Sequence, residues 1–213
     1  MNDEINKFKL TKMLEIGSDI GLLVESININ RIYAVDPVKK YKIPFKFRHI
    51  RFFEMQSDKF FEQNIEKFDL IYIDGLHTYD QSFKDLINSM DSLKNGGTSL
   101  IYLDDVLPND EFSCLEDPFE AFEARKRHFG KLSDLSWMGS VYKLIPLLIE
   151  CEFLYSTINF DGKYVTRIKF DQKSNSNLEE LKNKLFRARE KLNLNNYLFK
   201  DINLDYYNII KSN

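Results

Sequence analysis

Short apolar runs that close on an acid recur through the first half of the chain. KMLEIG (12–17), RIYAVDP (31–37), IRFFEMQ (50–56), FDLIYIDG (68–75) and TSLIYLDDV (98–106) each have the length and apolar continuity of a buried strand. Helical spacing fills the gaps between them. Ile20–Ile27 and residues 58–66 predict short helices, and Thr78–Leu93 places Phe83, Leu86, Ile87, Met90 and Leu93 on one face. Pro37 stops the second strand, and Asn95-Gly96-Gly97 predicts a glycine cap closing the long helix.

Beyond residue 106 the pattern is less regular. Residues 107–117 read as an acidic loop, Phe119–Phe129 as a helix, and Val141–Glu150 as a helix despite Pro146. Residues 152–170 read as two strands around Asp161-Gly162, a strong hairpin signal. After the polar break at 172–177, Leu178–Leu192 predicts a charged amphipathic helix, and an aromatic tail follows that must pack on this domain or on a partner.

Strands alternating with helices, and apolar along their whole length, predict an α/β fold. The expected architecture is a Rossmann-like, doubly wound, mostly parallel sheet that ends in a C-terminal antiparallel hairpin. One domain is expected over residues 1–171, with 172–213 as a helical extension.

Bulk properties narrow the function classes. A net charge of −3 does not favour a nucleic-acid partner. No apolar run reaches the ~18–20 residues of a membrane span, and the charged first twelve residues do not read as a signal peptide. Cys114 and Cys151 match neither metal spacing nor a disulfide framework, so a cytoplasmic setting is expected.

Chemistry concentrates where the strands end, at Glu15-Ile16-Gly17, Asp36, Asp74-Gly75 and Asp104-Asp105. In an open parallel sheet, ligands bind outside the carboxyl ends of the strands, so these acids should converge on one cleft. Asp36 lies 19 residues beyond Gly17, where a carboxylate accepts hydrogen bonds from ribose hydroxyls. The loop Gly17-Ser18-Asp19-Ile20-Gly21 is a poor dinucleotide fingerprint, because Asp19 would repel a pyrophosphate. It suits a nucleoside ligand that carries a cation and no phosphate, a description S-adenosylmethionine meets.

EIGxxxG, VD, QSDKFF, FDLIYIDGLHTYDQSFKDL and LKNGGTSLIYLDDV together resemble the class I S-adenosylmethionine-dependent methyltransferases. Within that class the chain resembles bacterial small-molecule and sugar O-methyltransferases over residues 12–106, with weaker echoes in WMGSVYKLI (137–145). The resemblance implies that Glu15 and Gly17 line the methionine end of the cofactor and that Ser18 belongs to the cofactor site. It implies that Asp36 holds the ribose, that Ser57 and Asp58 sit beside the adenine, and that Asp74 lies near the sulfonium or the metal.

Asp74, Asp104 and Asp105 would crowd three carboxylates together, which calls for a proton or a cation such as Mg²⁺. The related enzymes place a divalent ion on similar strand ends, so Mg²⁺ on these three aspartates is the implied metal site. His77, one of three histidines, follows Asp74 by three residues and resembles the catalytic base of that group. His49 and His128 read as surface residues, and Trp137, Tyr142 and 107–117 as the surroundings of the acceptor pocket. The expected reaction is O-methylation of a hydroxylated small molecule such as a sugar, in sugar or polysaccharide biosynthesis. Two alternatives stay open: a metal-independent methyltransferase acting on nitrogen or another acceptor, and a non-catalytic cofactor-binding protein.

Two departures stand out. Residues 37–49 are short for a crossover helix and contain Pro44, so an irregular basic loop is expected there. About eleven residues precede the first strand, too few for the covering helices of many relatives. Residues 172–213 or a second subunit would have to supply a lid, and a homodimer is expected on that ground.

Overall fold

The computed structural model describes residues 1–40, 49–130, 136–171 and 177–211. Most of the expected loop at 37–49, and the polar break at 172–176, lie outside these residues. The chain runs α1 (Asn2–Phe8), β1 (Lys12–Ile16), α2 (Leu22–Ser26), β2 (Arg31–Asp36), β3 (Ile50–Glu54), α3 (Ser57–Gln63), β4 (Leu70–Ile73), α4 (Tyr79–Asp91) and β5 (Ser99–Leu103). The second half adds α5 (Pro118–Phe129), a 3₁₀ turn at Val141–Lys143, α6 (Leu144–Glu150), β6 (Tyr155–Phe160), β7 (Lys163–Phe170), α7 (Leu178–Leu192) and β8 (Ile209–Lys211).

The strands form one sheet in the order β3-β2-β1-β4-β5-β7-β6-β8. Strands β1 to β5 pair in parallel, β7 joins β5 antiparallel, and β6 completes the hairpin on β7. The strand order reverses between β1 and β4, so their carboxyl ends diverge into the crevice where such sheets bind ligands.

Strand alternation divides the core into two layers. Leu14, Ile16, Tyr33, Val35, Ile71, Ile73, Ile101 and Leu103 face α4, α6 and α7, meeting Phe83, Leu86, Met90, Leu144, Leu148 and Leu185. Met13, Ile32, Ala34, Leu70, Tyr72, Leu100 and Tyr102 face the other way, where Ile5 of α1 and Val24 of α2 cover them. No described helix is long and apolar enough to cross a membrane.

Several local expectations change. The long helix stops at Asp91 with Ser92 as its cap, and Gly96 and Gly97, with φ of 83° and 79°, turn the chain into β5 instead of capping α4. Pro146 is tolerated because it falls in the first turn of α6, where backbone N–H groups lack helical partners. The aromatic tail packs on this domain: Tyr207 is buried and its hydroxyl donates to the Val106 carbonyl, while β8 pairs in parallel with β6.

Candidate active site

One cavity of about 680 Å³ opens over the carboxyl ends of β1, β2, β4 and β5, within the usual range for a small-molecule site. One end is built by the turn after β1. Gly17 has φ +81°, and a Cβ there would stand 1.8 Å from the Asp74 carbonyl oxygen. Only glycine lets the β1 and β4 turns approach so closely.

Asp36 lines the same end. Its carboxylate accepts from the Asp19 N–H at 3.0 Å and the Val38 N–H at 2.9 Å, so two backbone donors fix its orientation. Lys40 pairs with Asp19 at the exposed rim, partly offsetting the negative charge of that side chain. Ser57 and Asp58 stand on the next wall with Met55 and Gln56. Gln81 reaches them from α4, its amide nitrogen lying 3.2 Å from Ser57 Oγ, 2.9 Å from Asp58 Oδ1 and 3.1 Å from Asp85 Oδ1.

Glu15 does not line the cavity. It is buried beneath it, on the Met13 side of the sheet, and burial together with the charges of Asp74, Asp36 and Asp104 pushes its carboxyl up to about 8. Its Oε2 and the hydroxyl of buried Ser18 have no hydrogen-bond partner among the described residues. Buried polar atoms are rarely left so, and these two lie directly behind the glycine turn.

The opposite end gathers Asp74, His77, Asp105, Trp137 and Lys163. His77 Nε2 lies 3.2 Å from Asp74 Oδ1, and Nδ1 lies 3.0 Å from the Trp137 carbonyl oxygen and 3.3 Å from Asp105 Oδ2. A carbonyl only accepts, so Nδ1 carries a hydrogen. Nε2 and Asp74 are then left to share the next proton. Burial drives the Asp74 carboxyl upward; burial alone would lower His77, but the Asp74 and Asp105 carboxylates outweigh it and raise the imidazole. The two therefore compete for one proton, which burial favours on the carboxyl and the neighbouring carboxylates favour on the imidazole.

Asp105 joins this group with φ +53°, a conformation aspartate tolerates better than most residues. Ligand atoms of Asp74, His77 and Asp105 lie within 4.8 Å of one another. Asp104 does not join them. Its Oδ2 accepts from the Tyr72 hydroxyl and from Lys163 Nζ, both at 2.7 Å, and its Oδ1 accepts the Asp105 N–H at 2.9 Å. The structure thus brings together two of the three aspartates expected to bind a metal, with His77 beside them, and the third is occupied.

Residues 136–140 prop the histidine. A Cβ on Gly139 would stand 1.9 Å from the His77 carbonyl oxygen. That oxygen accepts the Ser140 N–H at 2.7 Å, and the Ser140 hydroxyl bridges the Tyr79 N–H and Glu116. Trp137 stacks on the imidazole with ring centroids 4.9 Å apart. Tyr142, expected at the pocket, is instead buried, its hydroxyl donating to the Tyr197 carbonyl. The acids of 107–117 are largely structural: Asp110 pairs with Arg125, Glu116 accepts from Ser140, and Asp117 caps α5. None of residues 177–211 lines the cavity, so the described part of the C-terminal extension supplies no lid.

Sequence reading missed Lys163, Gln81, Lys40 and Gly139. Gln81 lies inside the distinctive IDGLHTYDQSFKDL segment, so a signal existed for it. Lys163 carried only its place after the Asp161-Gly162 turn.

Residues 14–106 match the family described as a methyltransferase domain. No curated protein matches the chain. Among solved structures, an O-methyltransferase from Bacillus cereus in complex with SAH is similar at 14% identity and TM-score 0.47, over 78% of this chain and 77% of that one. An SAH-bound methyltransferase from Podospora anserina is similar at 15% identity and TM-score 0.49, over 78% and 74%. An N-methyltransferase from Bradyrhizobium japonicum is similar at 16% identity and TM-score 0.41, over 78% and 88%.

Proposed function

We propose that the chain, whose residues 14–106 match a methyltransferase domain, methylates a hydroxyl oxygen of a small molecule such as a sugar with S-adenosylmethionine as the methyl donor. One observation carries this reading: a ribose-type carboxylate, Asp36, and a histidine–carboxylate pair, His77 and Asp74, line one cavity.

Bound S-adenosylmethionine supplies an electrophilic methyl group. The residues fit this cofactor on their own chemistry. Asp36, oriented by two backbone N–H groups, offers its remaining acceptor capacity to ribose hydroxyls. Ser57 and Asp58, braced by Gln81, face the adenine end. The unpartnered Glu15 Oε2 and Ser18 Oγ provide polar groups behind the methionine end.

The chain's own contribution to chemistry is a proton acceptor and a shaped wall. A hydroxyl becomes a competent nucleophile as it loses its proton, and the His77–Asp74 pair receives it. The Trp137 carbonyl fixes the imidazole tautomer and Asp105 stabilises the imidazolium. A nitrogen acceptor with a free lone pair would have less use for this base, which favours oxygen. Trp137 gives the acceptor a flat apolar wall.

Of the three aspartates expected to hold Mg²⁺, Asp104 is committed to Tyr72 and Lys163, and His77 engages both Asp74 and Asp105. The proposed proton transfer therefore runs on the protein's own groups. Screening hydroxylated small molecules for methyl transfer tests both points. A methylated oxygen product formed at an unchanged rate in excess EDTA is expected. Loss of turnover in EDTA, restored by Mg²⁺, would overturn the metal-free part, and a methylated nitrogen product would overturn the acceptor class.

A further inference from the structure

Lys163 is the first residue of β7 and lies beside Asp104 at the reacting end of the cavity. The register explains how it arrives there. β7 runs antiparallel to β5 with Leu103 opposite Thr166, so the start of β7 extends past the end of β5 and over Asp104-Asp105. Asp104 is almost fully buried, whereas the Lys163 side chain is half exposed. An uncompensated buried carboxylate is costly, and the partner supplied here is an ammonium held at 2.7 Å together with the Tyr72 hydroxyl.

Three carboxylates, Asp74, Asp104 and Asp105, thus face the Lys163 ammonium and the His77 imidazole. We propose that Lys163 is the resident counter-ion of the reacting end, a positioning residue that takes the place of a divalent cation and excludes one from the aspartates. This rests on the reading of the cavity as the methyl-transfer site, and it assigns a role to a residue outside the methyltransferase-family match. The exclusion has two parts. The ammonium occupies Asp104, so Mg²⁺ or Mn²⁺ is left only Asp74 and Asp105 of the three aspartates, and His77 already engages both. Its fixed positive charge also repels a divalent ion at Asp74 and Asp105 at short range, where electrostatic interactions are strong.

The side chain is long and its exposed stem is free to be shortened without opening the core. Lys163→Met keeps that stem and removes the charge, and Lys163→Arg keeps the charge.

The test is calorimetric titration of Mn²⁺ into the wild-type chain, Lys163→Met, Lys163→Arg and the double variant Lys163→Met/Asp104→Asn, with folding checked by circular dichroism. Lys163→Met is expected to bind Mn²⁺ at least about tenfold more tightly than wild type. Lys163→Arg should behave like wild type, and the double variant should lose the gain. Equal Mn²⁺ affinity in wild type and a folded Lys163→Met would overturn the proposal, as would a gain that survives Asp104→Asn. A parallel titration with S-adenosylhomocysteine reports on the cofactor site separately, so failure of that site is not confused with failure of the counter-ion.

Discussion

Replacing His77 by alanine is expected to lower turnover by about 10²–10⁴-fold, the usual contribution of a positioned general base, with little change in affinity for S-adenosylhomocysteine. His77 lies at the reacting end of the cavity, away from Asp36, Ser57 and Asp58, so binding and chemistry separate cleanly. The pH profile gives the sharper reading. While the His77–Asp74 pair holds its shared proton, it cannot accept another from the acceptor. Asp74 is pushed up to about 7 by burial, and His77 is raised above its ordinary 6.5 by the two carboxylates, although burial opposes this. The rate should therefore climb as pH rises toward and through about 7 and level off once the proton has left. In His77→Ala that limb should flatten, because the imidazole that shares the proton is gone. A variant with wild-type turnover and an unchanged profile would remove the base from this residue.

Gly139→Ala is expected to destabilise the fold by about 2–6 kcal/mol, combining a strained positive φ with overpacking. Gly139 has φ +57°, and the new Cβ would meet the His77 carbonyl oxygen at 1.9 Å. The obstruction is backbone, which cannot rotate away as a side chain would. Relief requires residues 136–140 to withdraw, and that breaks the 2.7 Å bond from the Ser140 N–H to the same oxygen. Any folded fraction should consequently show a mispositioned His77 and low turnover. Chemical denaturation reads the first effect, and a wild-type midpoint would refute it. Gly97→Ala serves as a control: its φ is also positive, at 79°, but among the described residues no atom lies within 4 Å of the added Cβ. It should cost only the conformational strain.

How far the sequence discloses this arrangement depends on the kind of signal. β4 and β5 are buried along their entire length, and continuous apolar runs between turn residues reveal such strands. α7 spans the residues its amphipathic spacing indicates, Leu178–Leu192. α1 and β8 leave no comparable trace. α1 buries only Ile5, and β8 is three exposed residues held by backbone pairing to β6. Periodicity cannot register elements whose side chains are mostly in water.

The site divides in the same way. Acids at strand ends are visible because the strands themselves are, so Asp36, Asp74 and Asp105 could be assigned to one cavity. Asp104 and Asp105 look equivalent in sequence but behave differently: Asp104 turns to Tyr72 and Lys163, Asp105 to His77. Alternation of neighbouring side chains at a strand end would have separated them, but the partner that decides the matter, Lys163, arrives from an antiparallel hairpin some sixty residues away. Gly139 was hidden for the same reason, since its contact with His77 is a matter of tertiary approach.

Calorimetric titration with S-adenosylhomocysteine tests most directly whether the cavity between the β1 turn and Asp36 holds the cofactor. Saturable one-site binding is predicted for the wild-type chain, weakened about 10–100-fold by Asp36→Ala, as expected for losing hydrogen bonds to a charged acceptor. Absence of binding by the folded wild-type chain, or equal affinity in Asp36→Ala, would contradict it.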